Sequence, residues 1–129
     1  MTKIKLCGLF RPCDIETVNL LKPEYIGFVF APRSKRYISF QRAAELKSLL
    51  APGIKAVGVF TDEAPETVAE LLKDQIIDMA QLHGNESGTY LNQLRSLTEK
   101  PLIKAFRIRS CLDIRAASVC DADYVLLDS

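Results

Sequence analysis

Short apolar runs rich in Ile, Val and Phe recur along the chain and start about every 22 to 30 residues. The runs are KIKLCG, YIGFVFA, KAVGVF, DMAQLH, PLIKAFR and DYVLLD. Nearly continuous apolar runs of this kind are typical of buried strands in parallel sheets. The pattern therefore predicts six strands, and it predicts that the last strand is buried like the others.

The intervals between these runs contain apolar residues at helical spacing. Examples are Ile15, Val18 and Leu21 in the first interval, Leu46, Leu49 and Leu50 in the second, and Val68, Leu71 and Leu72 in the third. Pro12 and Pro65 suit the first turn of a helix, where the missing N–H of proline is not needed. Ser39, Ser87 and Ser110 are well suited to cap helix N-termini. Together these signals predict five helices between the six strands.

Strict alternation of strands and helices implies parallel strands joined by right-handed helical crossovers. Two architectures fit this order, an open doubly wound sheet and an eight-stranded (β/α) barrel. The first strand is followed by CGLFRP and not by the G-x-G-x-x-G turn of many doubly wound sheets. Barrel active sites are built from the carboxyl ends of several strands. Reactive or charged side chains follow several strands in this sequence, namely Cys7, His83, Arg107 and Asp128, with Arg36 in the loop after the second strand. We therefore predict an α/β fold of the barrel type.

Composition narrows the classes of protein that need to be considered. The 129 residues suit one domain, residues 1–129, and 48% hydrophobic with 26% charged residues is an ordinary globular balance. Lys and Arg outnumber the acidic residues by only 17 to 16, which argues against a nucleic-acid partner. The N-terminal MTKIKLCGLFR contains no apolar run long enough for a signal peptide or membrane span. We therefore expect a cytoplasmic protein without a membrane partner.

The cysteines do not follow a metal-binding pattern. Cys7, Cys13, Cys111 and Cys120 show neither C-x-x-C nor zinc-type Cys/His spacing, and His83 is the single histidine. In a reducing cytosol the cysteines should be free thiols. We therefore predict no metal site.

Cys7 and Asp128 are candidates for proton transfer. A single cysteine is more often a buried structural residue, and an aspartate after a strand more often caps the next turn. At the rim of a barrel, however, the two would supply a pair of titratable groups, as acid/base isomerisation requires. A free thiol is only slightly ionised at neutral pH, so Cys7 needs a nearby positive charge, and Lys5 shares its strand face.

Arg36 and His83 are candidates for ligand binding. The loop APRSKRYIS carries three basic residues, which on most surfaces are simply solvated. Arginine is the residue suited to grip a carboxylate with two parallel hydrogen bonds, so Arg36 is preferred to the neighbouring Lys35. His83 lies in QLHGNES, and a lone histidine is more often structural than a ligand.

The motifs taken together resemble one family along essentially the whole chain. KLCGLFRPCD, IGFVFAPRSKRYIS, VGVF, QLHGNES, PLIKAFR and YVLLD, in this order, resemble the phosphoribosylanthranilate isomerase family of tryptophan biosynthesis. The resemblance implies a (β/α)8 barrel and an intramolecular aldose–ketose isomerase. Its small-molecule substrate would be phosphoribosyl anthranilate, rearranged to an aminodeoxyribulose phosphate, and no metal or organic cofactor is implied.

The resemblance also implies roles for the candidate residues. Asp128 corresponds to the general acid that protonates the ribose ring oxygen, and Cys7 to the general base that removes the proton from the sugar C2. Arg36 would hold the anthranilate carboxylate, and His83 would contact substrate at the site rim without transferring a proton. Phe10 departs from the family, which usually has threonine there.

The sequence also departs from the family in length. A complete barrel takes about 200 residues or more, so we expect an incomplete barrel of about six parallel strands and five helices. The residues that bind the substrate phosphate in the family would come after the sixth strand, beyond Ser129. An isolated monomer is therefore expected to be inactive and marginally stable, with self-association or a completing C-terminal chain as possible partners. Three interpretations of the length remain: a truncated product, half of a two-chain enzyme, and a non-catalytic binding module or fragment. A different phosphate-binding barrel enzyme is a further alternative, but it does not account for Cys7, Arg36 and Asp128 together.

Overall fold

Six parallel strands alternate with five helices along residues 2–129, the part of the chain that the computed structural model describes. The strands are β1 (Lys5–Cys7), β2 (Tyr25–Val29), β3 (Lys55–Phe60), β4 (Met79–Leu82), β5 (Leu102–Arg107) and β6 (Tyr124–Asp128). The helices are α1 (Pro12–Leu21), α2 (Phe40–Ser48), α3 (Pro65–Lys73), α4 (Gly88–Leu97) and α5 (Cys111–Ser118). Each predicted strand and helix is therefore confirmed.

The helices begin where the sequence predicts. Pro12 and Pro65 occupy the first turns of α1 and α3. The side chains of Ser39, Ser87 and Ser110 accept hydrogen bonds from backbone N–H groups in the first turns of α2, α4 and α5. These bonds satisfy N–H groups that have no partner within a helix.

The strands form one curled sheet in sequence order, from β1 through β6, with every neighbouring pair parallel. Parallel neighbours joined by one helix each are the repeating unit of a (β/α) barrel. The prediction of an incomplete barrel with six strands and five helices is confirmed. Strands β1 and β6 form the two edges of this sheet.

The two faces of the sheet differ. One face packs against the helices and forms the main apolar core, in which the fully buried side chains include Ile26, Phe28, Phe60, Leu82 and Leu102. Paired residues on parallel strands and residues two apart on one strand point to the same face. The opposite face, which we call the inner face, contains Lys5, Cys7, Gly27, Val57, Met79, Gln81, Ile103, Tyr124 and Asp128.

The prediction that the last strand is buried is wrong. Tyr124, Val125 and Leu127 of β6 are 52%, 41% and 59% exposed. The strand pairs with β5 on one side only, and α5 contacts β5. An apolar run indicates a strand, but whether the strand is covered depends on neighbours that its own sequence does not specify.

Two apolar residues with helical spacing also lie outside the core. Leu21 is 66% exposed and Leu49 is 57% exposed, whereas Ile15, Val18 and Leu46 are buried. Leu21 is the last residue of α1 and Leu49 is the cap residue that follows α2. At these positions the chain leaves the helix, so the helical spacing no longer determines which side the residue faces.

Asp123, directly before β6, ties α4 to the start of β5. Its Oδ2 accepts hydrogen bonds from Arg95 Nη2 at 2.6 Å and from Leu102 N–H at 2.8 Å. Burial acts to raise the pKa of Asp123, but the hydrogen bonds from Leu102 and Arg95 outweigh it and hold the pKa below its ordinary value of 3.8. A carboxyl with a lowered folded-state pKa stabilises the fold above its unfolded pKa, and this contribution is lost as pH falls through the folded pKa.

Asp123→Asn should therefore be less stable than the wild type at pH 7, and the difference should shrink below about pH 4, where the unfolded-state carboxyl takes up a proton. Because the pair is partly exposed, we expect a difference of about 1 kcal/mol or less at pH 7. Urea unfolding between pH 7 and pH 3 measures it. Asp121→Asn, an exposed acid two residues away, is the control; a pH-independent difference for Asp123→Asn would contradict the assignment.

Candidate active site

The four residues proposed for catalysis or ligand binding lie at or just after the carboxyl ends of the strands. Cys7 ends β1, His83 follows β4 directly, Asp128 ends β6, and Arg36 lies in the loop after β2. In a parallel sheet the carboxyl ends of all strands lie on the same side of the sheet, which forms the rim of a barrel. Cys7 and Asp128 both belong to the inner face, so their side chains point to the same side of the sheet.

The Cys7 thiol lies against a glycine of the neighbouring strand. Cys7 pairs with Gly27, and a Cβ atom at Gly27 would lie 2.6 Å from Cys7 Sγ. Carbon and sulfur cannot approach that closely without displacement. Glycine at this position of β2 therefore leaves the space that the thiol occupies.

Gly27→Ala should displace the Cys7 side chain, because the added Cβ would lie 2.6 Å from Cys7 Sγ, and should also press on the β1 backbone, since Cys7 Cα would be 3.2 Å away. We expect a changed rate of thiol alkylation at Cys7, measured with a neutral alkylating reagent and peptide mass mapping. The exposed Cys13 on α1 is the internal control, and its rate should not change. Equal alkylation of Cys7 in the variant and the wild type would contradict the packing argument.

Lys5 shares the inner face with Cys7, as the sequence predicts. Burial lowers the pKa of Lys5 below its ordinary value of 10.5, and the nearby charge of an ionised Cys7 opposes this effect. The Lys5 Nζ atom donates a hydrogen bond to Oε1 of Gln81 on β4. Its support of the Cys7 thiolate stays a prediction.

Arg36 reaches from its loop to the end of β1. Its Nη1 atom donates a hydrogen bond to the carbonyl oxygen of Cys7 at 2.9 Å. The guanidinium covers Gly8, where a Cβ atom would lie 2.4 Å from Nη1. Gly8 also has φ +88°, which L side chains rarely adopt. The glycine after Cys7 thus permits both the turn and the close approach of the guanidinium.

Asp128 is held by two hydrogen bonds. Its Oδ1 accepts from the Ser129 N–H at 2.9 Å, and its Oδ2 lies 3.3 Å from Nε2 of His83. The Asp128 side chain is 43% exposed and that of His83 is 29% exposed, so both are open to a ligand. The sequence placed both residues at the carboxyl ends of strands but did not predict their contact.

Gln81 and Glu86 are two residues of this region that the sequence did not single out. Gln81 is 3% exposed, and its Nε2 lies 3.0 Å from Nδ1 of His83. The available signal was a polar residue two positions before the histidine in the apolar run DMAQLH, since residues two apart on a predicted strand share a face. No comparable signal marked Glu86, because its partners Asp62 and Lys104 lie 24 and 18 residues away in the sequence.

Glu86 organises the loops around the site from a buried position. It accepts hydrogen bonds from Asp62 N–H at 2.8 Å and Gly84 N–H at 2.9 Å. It also forms an ion pair with Lys104 at 2.9 Å, in which the side chains are 0% and 6% exposed. Lys104 Nζ in addition donates to the Gly84 carbonyl at 2.8 Å. The loops after β3 and β4 are thereby fixed to β5.

A cavity of about 1040 Å³ opens beside these loops. Its lining includes Arg33, His83, Asn85, Phe106, Arg107 and Arg109. Asp62, Glu86 and Asp113 also line the cavity, which therefore combines charges of both signs with the aromatic surface of Phe106.

Three further findings concern metal sites, membrane-spanning helices and cysteines among the described residues. Among residues 2–129, no group of three His, Cys, Asp or Glu side chains is arranged to hold a metal ion. No helix within the same residues has the length and apolar character needed to cross a membrane. The four cysteines are free thiols.

Curated relatives match the whole chain. The N-(5'-phosphoribosyl)anthranilate isomerase of Endomicrobium trichonymphae is 41% identical over 129 residues, which is 100% of this chain and 62% of the relative. The enzyme of the same name from Acetivibrio thermocellus is 44% identical over 135 residues, again 100% of this chain and 62% of the relative. The chain thus spans about three fifths of the length of these relatives.

Solved structures of similar proteins agree with the fold. The phosphoribosyl anthranilate isomerase of Thermus thermophilus superposes with a TM-score of 0.86 at 33% identity, over 99% of this chain and 62% of that one. Another such isomerase, solved in complex with reduced 1-(o-carboxyphenylamino)-1-deoxyribulose 5-phosphate, has a TM-score of 0.86 at 31% identity, over 99% and 65%.

The family model described as N-(5'phosphoribosyl)anthranilate (PRA) isomerase matches residues 4–129. That range contains β1 through β6 and all four candidate residues. The motifs that resembled this family in the sequence therefore lie within the match. This chain belongs to the N-(5'-phosphoribosyl)anthranilate isomerase family.

Proposed function

We propose that this chain carries the proton-transfer groups of an N-(5'-phosphoribosyl)anthranilate isomerase of tryptophan biosynthesis, acting in the cytoplasm. The proposed reaction is the Amadori rearrangement of phosphoribosyl anthranilate to 1-(o-carboxyphenylamino)-1-deoxyribulose 5-phosphate. The observation that carries the proposal is that Cys7 and Asp128 share the inner face at the carboxyl ends of their strands. Family membership supplies the substrate class.

In the proposed mechanism Asp128 is the general acid and Cys7 is the general base. Asp128 donates a proton to the ribose ring oxygen, the C1–O bond breaks, and an iminium forms between C1 and the anthranilate nitrogen. The iminium acidifies the C2–H bond, so a thiolate at Cys7 suffices to remove that proton. The resulting enolamine becomes the ketone, and one proton has been given and one taken, as an isomerisation requires.

Arg36 is proposed to bind the anthranilate carboxylate. A guanidinium has five N–H donors, and the bond to the Cys7 carbonyl uses one of them. Other donors can form the two parallel bonds by which arginine holds a carboxylate. Anchoring to the backbone of Cys7 would set the distance between the bound carboxylate and the thiol.

His83 is proposed to contact the substrate at the rim, where it lines the cavity and contacts Asp128. The substrate phosphate requires a further site. We propose that the part of the relatives that this chain does not span supplies it, through a glycine-rich loop and a helix N-terminus of the type that binds phosphate in barrels. That part would also pair with the edges formed by β1 and β6.

A complementation assay tests the proposal. The purified chain is mixed with a separately produced C-terminal segment from a full-length relative, and the loss of phosphoribosyl anthranilate fluorescence is followed. Activity in the mixture alone is expected, because the chain supplies the acid and base while the segment supplies the phosphate site. Activity of the chain alone, including a self-associated form, would contradict the need for a completing segment. A mixture that assembles without turnover would favour a binding module.

A further inference from the structure

A row of hydrogen-bonded side chains crosses the inner face from β1 to β6. Lys5 Nζ donates to Gln81 Oε1, and Gln81 Nε2 lies 3.0 Å from His83 Nδ1. His83 Nε2 in turn lies 3.3 Å from Asp128 Oδ2. We call these four residues the Lys5–Asp128 row. Its last member is the proposed general acid, while the other three have no step in the proposed mechanism.

The donor and acceptor chemistry of the row leaves one arrangement. An ammonium group has three donors and no acceptor, so the atom of the Gln81 amide that faces Lys5 must be the oxygen. The amide nitrogen, which only donates, then faces His83, and Nδ1 must accept. A neutral imidazole carries one N–H. That N–H must therefore be on Nε2, where it points toward Asp128.

We propose that Lys5 and Gln81 are positioning residues that hold His83 in its Nε2–H tautomer, as a fixed hydrogen-bond donor to Asp128. This inference deepens the proposed function and rests on it for its catalytic meaning. A nitrogen that already carries hydrogen cannot accept the Asp128 proton, so the acid delivers its proton to the substrate and not to the imidazole. After delivery, the same N–H stabilises the carboxylate that remains.

The arrangement also gives a reason for the spacing in QLHG. Gln81 lies on the inner face of β4, and His83, directly after the strand, donates its backbone N–H to the Phe60 carbonyl at 2.8 Å and has its Nδ1 atom 3.0 Å from Gln81 Nε2. Gln81 is 3% exposed, and a buried amide needs hydrogen-bond partners for structural reasons alone. If the Gln81 amide served only to fill a buried position, it could rotate to suit either tautomer of the imidazole, because it has both a donor and an acceptor. The test must therefore observe the tautomer directly.

The single histidine makes this measurement simple. In the full chain, prepared without a histidine tag and labelled with ¹⁵N, long-range ¹H–¹⁵N spectra report one imidazole and distinguish its two tautomers. We expect the pattern of Nε2–H alone in the wild type. In Lys5→Met the amide is free to rotate, so we expect loss of the single pattern and appearance of the Nδ1–H form. Lys5→Arg should restore it, since a guanidinium also only donates. The exposed Lys55→Met is the matched control.

Gln81→Glu provides an independent variant. A carboxylate has no donor, so it can face Nδ1 favourably only if Nδ1 carries a proton; we expect protonation of Nδ1 in its spectrum. A wild-type spectrum of the Nδ1–H form would overturn the proposal. So would an unchanged imidazole pattern in a folded Lys5→Met or Gln81→Glu chain, with folding judged from backbone amide signals. The readout does not depend on turnover, so an inactive complementation mixture would reject the proposed function and leave this result standing.

Discussion

Cys7→Ala and Asp128→Asn should each reduce turnover in the complementation mixture by about 100-fold or more, the lower range for removal of a positioned general acid or base. Cys7→Ala removes the only group proposed to accept the C2 proton. Asp128→Asn keeps an oxygen that accepts from His83 Nε2 but removes the acidic proton. Both variants should assemble normally, because neither side chain belongs to the buried core.

The measurement is the initial rate of fluorescence loss at saturating concentrations of the completing segment. Cys13→Ala and Asp121→Asn, both exposed residues of the same types, serve as matched controls and should retain wild-type rates. Size-exclusion chromatography establishes that each mixture assembles. A rate within about threefold of the wild type for either variant, far less than loss of an acid or base produces, would remove that residue from its proposed role.

Glu86→Ala should lower the free energy of unfolding by about 3–5 kcal/mol, the usual loss when one partner of a buried ion pair is removed. The substitution leaves the Lys104 ammonium without its carboxylate in a buried position, and it leaves the N–H groups of Asp62 and Gly84 without their acceptor. Since domains are stable by only about 5–15 kcal/mol, a large part of the population should unfold in mild denaturant. Urea unfolding followed by circular dichroism measures the effect.

Two further variants distinguish the buried charge from the other contacts of Glu86. Adding Lys104→Met to Glu86→Ala should recover part of the lost stability, because the unpaired ammonium is then removed. Glu45→Ala breaks an exposed ion pair with Arg42 whose side chains are 44% (Arg42) and 63% (Glu45) exposed, and it should change stability by about 1 kcal/mol or less. Equal effects of Glu86→Ala and Glu45→Ala would contradict the importance of burial.

The elements of the fold were predictable because their signals are local. An apolar run such as that of β3 is itself the strand, and Ser39 caps α2 through a bond within the first turn. The grouping of Cys7 and Asp128 was predictable for a related reason. Parallel strands joined in order bring their carboxyl ends together whatever residues lie between them.

The contacts that complete the site were not predictable, because they join residues distant in sequence. The bond between Lys5 and Gln81 spans 76 residues and depends on how the sheet curls from β1 to β4. An acidic residue in a loop is usually exposed, so nothing in the sequence indicated that Glu86 is buried against Lys104. The exposure of β6 was missed for the same reason, since it depends on neighbouring elements.

The bond from Arg36 to the Cys7 carbonyl has a consequence for redesign of substrate preference. Under the proposed roles, Arg36, which recognises the anthranilate carboxylate, is hydrogen-bonded to the backbone carbonyl of Cys7, the proposed base. An exchange of the β2 loop that removes Arg36 would also remove its hydrogen bond to the Cys7 carbonyl. Selectivity and rate would therefore change together in such variants, and a library built on this loop should include compensating changes at the end of β1.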